Sequence, residues 1–418
     1  MNRPDLLVCF GTEIVGRLRP DTLGRMRFAY DAAWLQSSTA FAVSVSLPLR
    51  EEEYATSNAH TFFANLLPEG TVRQAVCRRL GLSEDNDFEL LRAIGGDCAG
   101  ALSLLNAPPP EPLDFEYEEL SDRRLQALIS NDRIVPLLVG GTTTRLSLAG
   151  AQDKVPVALL DGRIHLPIAS APSTHILKLP SKRFKHIAAN EAFVVGFASK
   201  VGLDVVHTEL LHQTRPPSLL VERYDRRHTE TPWPAIRIHQ EDLCQALGLP
   251  PARKYEQEGG PTLAAAIELV RGHVNQPLLD ASRLIAWQAF NLAAGNSDGH
   301  GKNLSLLRAD GSLHLAPFYD LLSTRAYPSL DRSMAMSVGG RRDPDAIDRA
   351  QWTELAVEVQ LDTSHVLATV RDVGERCEAT LSDWTREFRE KHGPCPLLQT
   401  LPAQIARRAR RLARSTKA

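Results

Sequence analysis

"GNSDGHGKN", residues 295–303, follows directly on "DASRLIAWQAFNLAA", residues 280–294, and the fold turns on how that junction is read. The apolar spacing before it predicts a helix, with Asp280 as its cap and Gly295 as its stop. The next residues then form a loop anchored on a rigid element, a good way to hold reactive groups. Asp298 and Asn303 offer oxygen ligands, His300 an imidazole and Lys302 a cation for a phosphate. The three glycines are read as room for phosphate and metal to approach. The plainer reading is an Asx-rich turn carrying a surface histidine.

The stretch immediately C-terminal to the loop tips the balance. "LSLLRADGSLHLAPFYD" reads as a hairpin turning at Asp310-Gly311 and ending in Tyr319 and Asp320. An aspartate on a loop, an asparagine five residues on, a hairpin and a second aspartate make up the layout that phosphoryl transfer uses. The first aspartate takes the hydroxyl proton, and the asparagine and second aspartate hold Mg²⁺ between phosphate oxygens.

Upstream, "THILKLP" puts Lys178 inside an apolar strand, which is unfavourable unless the ammonium meets an anion or lies on a surface edge. Glu191, thirteen residues later in "NEAFVVGFASKVGL", which reads as an amphipathic helix ended by a glycine, either orients that lysine or serves as an acid near a helix start. "SLAGAQDK", 147–154, reads equally as a phosphate-cradling nest or a plain hairpin. Neither G-x-x-x-x-G-K-[ST] nor G-x-G-x-x-G occurs.

Composition sets the frame. The 418 residues are 43% hydrophobic and 23% charged, ordinary for a globular protein of two or three domains. A net charge of −2 argues against general nucleic-acid affinity. The charge is uneven, since residues 403–418 carry six basic side chains and no acid. Six cysteines without a C-x-x-C pair argue against a disulfide framework or zinc site and fit a reducing compartment. No signal-peptide h-region and no 18-residue apolar run are visible, so a cytoplasmic protein without a membrane span is expected.

Along the chain, "LLVCFG", "EIVGRLR" and "MRFAY" read as strands, "TVRQAVCRRLGL" and "DNDFELLRAI" as helices, and "AGALSLL" as a strand again. "NAPPPEPLD", 106–114, is the clearest boundary. The expected organisation is a small α/β domain over 1–106, a linker and helix over 107–139, a body over 140–400 and a basic helix or tail over 401–418. The body is mixed to about residue 235 and helical after it. The fold class is α/β (α+β): two lobes like a protein kinase, a small N-terminal α/β subdomain and a mostly helical C-terminal lobe.

Taken together, "RLSLAGAQDKVPV", "THILKLP", "LLVERYDRR", "QEDLCQALGLPPARKYEQEGGP", "GNSDGHGKNLSLL" and "LAPFYDLLS" resemble the HipA family, and "FFANLLPEG" through "IGGDCAGALSLL" resembles its small first domain. The resemblance covers roughly residues 1–400. It implies a serine/threonine kinase toxin of a type II toxin–antitoxin module, using ATP and Mg²⁺. It implies Asp298 as catalytic base and Asn303 with Asp320 as Mg²⁺ ligands, with His300 beside the phosphates and Lys178 holding them. It implies a phosphate loop of Ala149, Gly150, Ala151, Gln152, Asp153 and Lys154, and an adenine border at Glu222, Arg223 and Tyr224. Lys302 and Tyr319 complete the expected ATP site. Ser147 matches a serine that such kinases phosphorylate on themselves, displacing the phosphate loop, with Arg145 as a nearby partner for the new charge. The implied partners are a HipB-like helix-turn-helix antitoxin, operator DNA reached through the antitoxin complex, and a protein substrate. That substrate is a translation factor or an aminoacyl-tRNA synthetase, such as glutamyl-tRNA synthetase. Ser297 stands where the family often has threonine, a mild departure. The motifs stop short of the basic tail. From the residues alone, a small-molecule phosphotransferase of the same fold is the alternative.

Overall fold

The computed structural model of the chain describes residues 5–111, 113, 115–131, 154–168, 170–229 and 235–416. Ser147, Arg145 and the expected phosphate-loop residues Ala149, Gly150, Ala151, Gln152 and Asp153 lie outside them; Lys154 lies inside.

Strands β1 (Leu6–Phe10), β2 (Glu13–Pro20) and β3 (Met26–Tyr30) form an antiparallel sheet that β4 (Leu102–Leu105) completes in the order β3-β2-β1-β4. Helices α1 (Ala32–Gln36), α2 (Thr56–Ala64), α3 (Gly70–Leu80) and α4 (Asp87–Ile94) lie between β3 and β4 in the chain. Fully buried Trp34, Phe28, Phe62 and Phe63 fill the space beneath them. The four strands and two helices read from the sequence are present, and α1 and α2 are two further helices that those stretches do not include.

Next come β5 (Tyr117–Glu119), α5 (Asp122–Asn131), β6 (Lys154–Leu160), β7 (Arg163–Pro167), β8 (His175–Lys178), α6 (Ile187–Val201), β9 (Thr208–Leu211) and β10 (Ser218–Glu222). The strands make a second sheet ordered β5-β7-β6-β8-β10-β9. Val155, Val157, Leu177 and Leu220 of this sheet share one apolar cluster with the first domain. Burying that surface welds the two sheets together.

Helix α6 departs from the sequence reading. It is not amphipathic: eleven of its fifteen residues are buried. The reason is that it lies between β9–β10 and a later long helix, so both faces are covered.

A short ribbon of β11 (Arg226–His228) and β12 (Ala235–Arg237) leads to β13 (His239–Asp242) and to the helical lobe. This lobe holds α7 (Leu243–Ala246), α8 (Leu263–His273), α9 (Pro277–Ala294), the hairpin β14 (Ser305–Ala309) and β15 (Ser312–Leu315), then α10 (Arg349–Glu358), α11 (Thr363–His392) and α12 (Leu401–Ser415). Trp287, Phe290 and Trp352 are fully buried at its centre. The hairpin turns at Asp310 and Gly311, both with positive φ, as a two-residue turn demands.

One detail of the helix reading is corrected. Asp280 is not the cap of α9, because the helix begins three residues earlier on Pro277, a favoured first-turn residue. The Asp280 carboxylate instead accepts from Leu315 N–H (3.1 Å) and Arg283 (2.7 Å), tying the helix to the hairpin. Among the described residues, no helix is long and apolar enough to cross a membrane.

Candidate active site

Strand β8 runs in the middle of its sheet, between β6 and β10, which removes the edge-strand reading of Lys178. Its ammonium is 8% exposed and donates to Glu191 Oε1 and to Asp320 Oδ1, each at 2.6 Å. Burial works against the charge, but the two carboxylates outweigh it and hold the lysine protonated. Asp320 balances the same way. Burial would raise it, yet Lys178 and Lys154 keep it well below the usual carboxylate range. Lys154 stands directly across from Lys178 in the β6–β8 register. Burial, then that neighbouring ammonium, pulls Lys154 down to about 8.

Across from this cluster lies the 295–303 loop, delivered by α9 as expected, with Gly295 (φ +74°) ending the helix. Asp298 is pushed up to about 6, first by burial and also by the Asp320 charge. Its Oδ1 accepts from the Tyr255 hydroxyl at 2.7 Å. The Asn303 side-chain amide donates to the Asp298 backbone carbonyl at 2.9 Å, which orients the Asn303 amide. His300 is buried, its ring edge-on to Tyr255 at 5.0 Å, and its Nδ1 has no hydrogen-bond partner among the described residues. Burial, and then Lys254, hold that imidazole neutral, down at about 4.

Both groups open on one cavity of about 550 Å³, lined also by Tyr224, Tyr319 and Asn65. The Tyr224 ring stacks on Tyr319 (5.5 Å, 23°), and its hydroxyl donates to Gln240 at 2.5 Å. Asp320 takes a left-handed backbone (φ +58°), which turns it back toward Lys178 after the hairpin.

A divalent ion fits this donor set. Asn303 and Asp320 both line the cavity and offer hard oxygens, and the orphaned His300 nitrogen marks a wall prepared for a polar ligand. Two protein oxygens completed by phosphate and water are an ordinary Mg²⁺ arrangement.

Three expectations change. Lys302 does not reach for a phosphate. Its ammonium donates to the Asn65 carbonyl (3.0 Å) and side-chain oxygen (2.7 Å) and lies 3.2 Å from Asp242. It sits in the 3₁₀ turn Gly301–Asn303, where neighbouring side chains diverge by about 120°, so it fastens the first domain instead. Arg223 borders the cavity, but its guanidinium is 2% exposed and bonded to Asp225 (2.7 and 2.9 Å), Ser173 (2.8 Å) and Cys98 O (2.9 Å). The glycines serve packing rather than ligand access. A Cβ on Gly299 would meet Trp287 at 2.9 Å, and one on Gly301 would meet Pro261 at 2.6 Å. Glu222 lies at the end of β10 with His228 Nε2 at 3.1 Å, and it lines the cavity.

The sequence reading missed Tyr255 and the first domain's share of the wall. Glu69 pairs with Lys254 (2.7 Å), and Asn65 caps the Lys302 ammonium. "KYEQEGGP" carries no spacing signal that would single out its tyrosine.

The profile of the HipA-like C-terminal domain matches residues 146–381, and that of the HipA N-terminal domain matches residues 6–105. The chain is similar to Y4mE of Sinorhizobium fredii, which carries a kinase name: 44% identity over 84% of this chain and 85% of that protein. It is 28% identical to the serine/threonine-protein kinase toxin HipA of Shewanella oneidensis, over 89% of this chain and 87% of that protein. Its fold superposes on the HipA of the Shewanella oneidensis HipA, HipB and operator DNA complex with a TM-score of 0.84. That match has 25% identity and covers 97% of each chain.

Proposed function

The chain belongs to the HipA family, and from that premise we propose that it is an ATP- and Mg²⁺-dependent protein serine/threonine kinase acting as the toxin of a type II toxin–antitoxin pair. The observation that carries the reading is the meeting of two sets of groups across one cavity: Lys178, Glu191 and Asp320 on one side, Asp298 and Asn303 on the other.

ATP would supply the phosphoryl group, and Asn303 and Asp320 would hold Mg²⁺, which would supply charge neutralisation at the phosphate oxygens. Lys178, fixed by Glu191, grips the phosphates. Asp298 accepts the proton of a serine or threonine hydroxyl as that oxygen forms its bond to phosphorus. Tyr255 holds the carboxylate in place through Oδ1, which leaves Oδ2 for the substrate. His300, neutral and with an unpartnered Nδ1 among the described residues, would donate to or accept from a group beside the phosphates. Glu222, the Arg223 backbone and Tyr224, between the sheet and the helical lobe, border the adenine, with the Tyr224–Tyr319 pair as an apolar wall. Lys154 adds a cation at the phosphate end, completing the loop of Ala149, Gly150, Ala151, Gln152 and Asp153.

The family resemblance extends the proposal. Ser147 is the self-phosphorylation site that switches the kinase off. The target is a translation component, an aminoacyl-tRNA synthetase such as glutamyl-tRNA synthetase being the model. A HipB-like antitoxin neutralises the protein in the cytoplasm, and the pair represses its own operon. The Shewanella relative in its complex with HipB and operator DNA supports that partnership.

The test is peptide mass spectrometry after incubation with ATP and Mg²⁺, comparing wild type with Asp298→Asn. Phosphate on Ser147 in wild type alone is the expected result. Equal phosphate in both proteins, or ATP turnover that survives Asp298→Asn, overturns the assignment of the base.

A further inference from the structure

The basic C-terminal stretch is not uniform. Helix α12 buries Leu401, Ile405, Ala409, Leu412 and Ala413 against the helical lobe and leaves Arg407, Arg410, Arg411 and Arg414 exposed. Arg408 does neither. Its Nε donates to the carbonyl of Ala293 at 2.9 Å and its Nη2 to that of Ala294 at 2.8 Å. These are the last two residues of α9, the helix that delivers the catalytic loop. Carbonyls at a helix end have no partner within the helix, so something outside must satisfy them. A cation there also meets the negative end of the helix dipole.

The contact reaches the first residue of the loop. A Cβ on Gly295 would lie 2.7 Å from Arg408 Nη2 and 2.8 Å from Cζ, so the guanidinium rests on the Gly295 backbone. From the other side, the Gly295 carbonyl accepts from Arg325 N–H (3.1 Å) and the Thr324 hydroxyl (3.2 Å). The Thr324 oxygen in turn accepts from Ser297 N–H (2.8 Å), one residue before Asp298. Thr324 itself lies four residues after Asp320. The stretch between α9 and Asp298 is thus gripped between Arg408 and the segment that carries Asp320.

Holding an arginine here is unfavourable without a purpose. Burial, and then Arg325 and Arg407, pull its basicity down to about 10. Its hydrogen bonds go to two carbonyls rather than to a carboxylate.

We infer that Arg408 is a positioning residue for phosphoryl transfer: it fixes the end of α9 and Gly295, and through them the place of Asp298. The inference rests on the kinase reading and adds the C-terminal helix to the machinery. A shift of about 1 Å in a catalytic group can lower turnover about 100-fold, whereas ATP gripped by Lys178 on the opposite lobe is untouched. A split between kcat and KM is therefore the signature.

The experiment compares full-length wild type, Arg408→Ala, Arg408→Lys and the exposed-site control Arg407→Ala. It measures steady-state phosphoryl transfer from ATP and amide hydrogen exchange over residues 295–303. For Arg408→Ala we expect kcat to fall about 10- to 100-fold with KM for ATP within about twofold of wild type. Exchange over 295–303 should rise, and added guanidinium should restore part of kcat. Arg408→Lys, keeping charge but losing the fork, should fall between, and Arg407→Ala should match wild type. Should the alanine variant fail to fold, Arg408→Lys carries the same comparison. Wild-type kcat in a folded Arg408 variant, or a KM for ATP that rises as kcat falls, overturns the inference. A wild type that transfers no phosphate from ATP refutes the kinase reading instead; the exchange rates still judge the clamp, and unchanged exchange in Arg408→Ala would sink it.

Discussion

Two clusters of buried charge, one at the domain joint and one on the central strands of the second sheet, differ in kind. In the first, Asp97 of the first domain is fully buried and meets Arg226 (2.8 Å), Arg237 (3.0 Å) and Arg223 (3.5 Å), while Asp225 takes Arg223 and the Gly100 N–H. The second is the Lys178, Glu191 and Asp320 set, with Lys154 opposite. The first borders the cavity through Arg223 and Asp225 but is sealed by its own hydrogen bonds: the Arg223 and Arg226 guanidinium groups also bond the Cys98 carbonyl, and Ser173 donates to Asp97. The second faces a cavity of about 550 Å³, with two lysines juxtaposed across neighbouring strands. Like charges in that position are unfavourable unless an anion joins them. Charge held in hydrogen bonds to its own neighbours serves the joint between domains; balanced charge that lines a cavity is placed to meet a ligand.

The sharpest test of that contrast takes one partner from each cluster. Asp97→Asn leaves Arg223 and Arg226 sharing Asp225 and takes from Arg237 its carboxylate partner, and we expect a loss of about 3–5 kcal/mol in unfolding free energy, read by urea titration. A loss below about 1 kcal/mol would show that water relieves the cage and that the seal is not what matters.

Next in size is a pH effect at the same domain joint. Glu241 is buried and accepts from the Ser44 hydroxyl (2.5 Å) and Val45 N–H (2.9 Å) of the first domain. Burial pushes it up to about 7 from an ordinary 4.5. The folded state therefore binds this proton more tightly than the unfolded chain. Its stabilisation is complete below about pH 4.5 and lost as pH rises through 7, amounting to up to about 3 kcal/mol. Urea midpoints of wild type and Glu241→Gln, compared at pH 5 and pH 8, should diverge with pH; parallel values would refute it.

Lys178→Met should separate activity from stability. We expect phosphoryl transfer to drop at least about 100-fold, comparable to removing one donor from a charge-stabilising site. Burial already raises Glu191, so without its partner it can neutralise by taking a proton, and the fold should lose under about 2 kcal/mol. The thermal shift given by ATP and Mg²⁺ should vanish in this variant and persist in folded Asp97→Asn. The smallest effect is assigned to an exposed pair. Arg163→Ala, which breaks a contact to Glu119 (3.2 Å) between half-exposed side chains, should change stability by less than about 0.5 kcal/mol.

The same contrast governs what was legible in the sequence. The ligand-facing cluster was readable because its parts sit at short, patterned spacings. Lys178 and Glu191 are thirteen residues apart, Asp298 and Asn303 five, and the Asp310-Gly311 turn points to Asp320. The sealed cluster left no trace: Asp97 and its arginine partners are at least 126 residues apart in the chain, and "GGDC" reads as any turn. Lys302 is assigned to ATP by its charge and Arg223 by the family resemblance, and neither signal records which way a side chain points. Burial of α6 on both faces was hidden because its polar residues Asn190 and Glu191 imitate a solvent face while serving inner contacts. Tyr255 and Arg408 act through hydroxyl and guanidinium contacts to distant backbone and side chains, which no local pattern records.

The left-handed backbone at Asp320 narrows what this position can be during sequence drift. Among the acids, aspartate visits that region far more readily than glutamate, because its short side chain finds local hydrogen bonds there. A swap to glutamate keeps the charge and forfeits the conformation. A swap to asparagine keeps the conformation and forfeits the charge. No single substitution keeps both, so this site admits no neutral neighbour, and lineages that lose the aspartate would lose the phosphate chemistry while the shape of the chain survives.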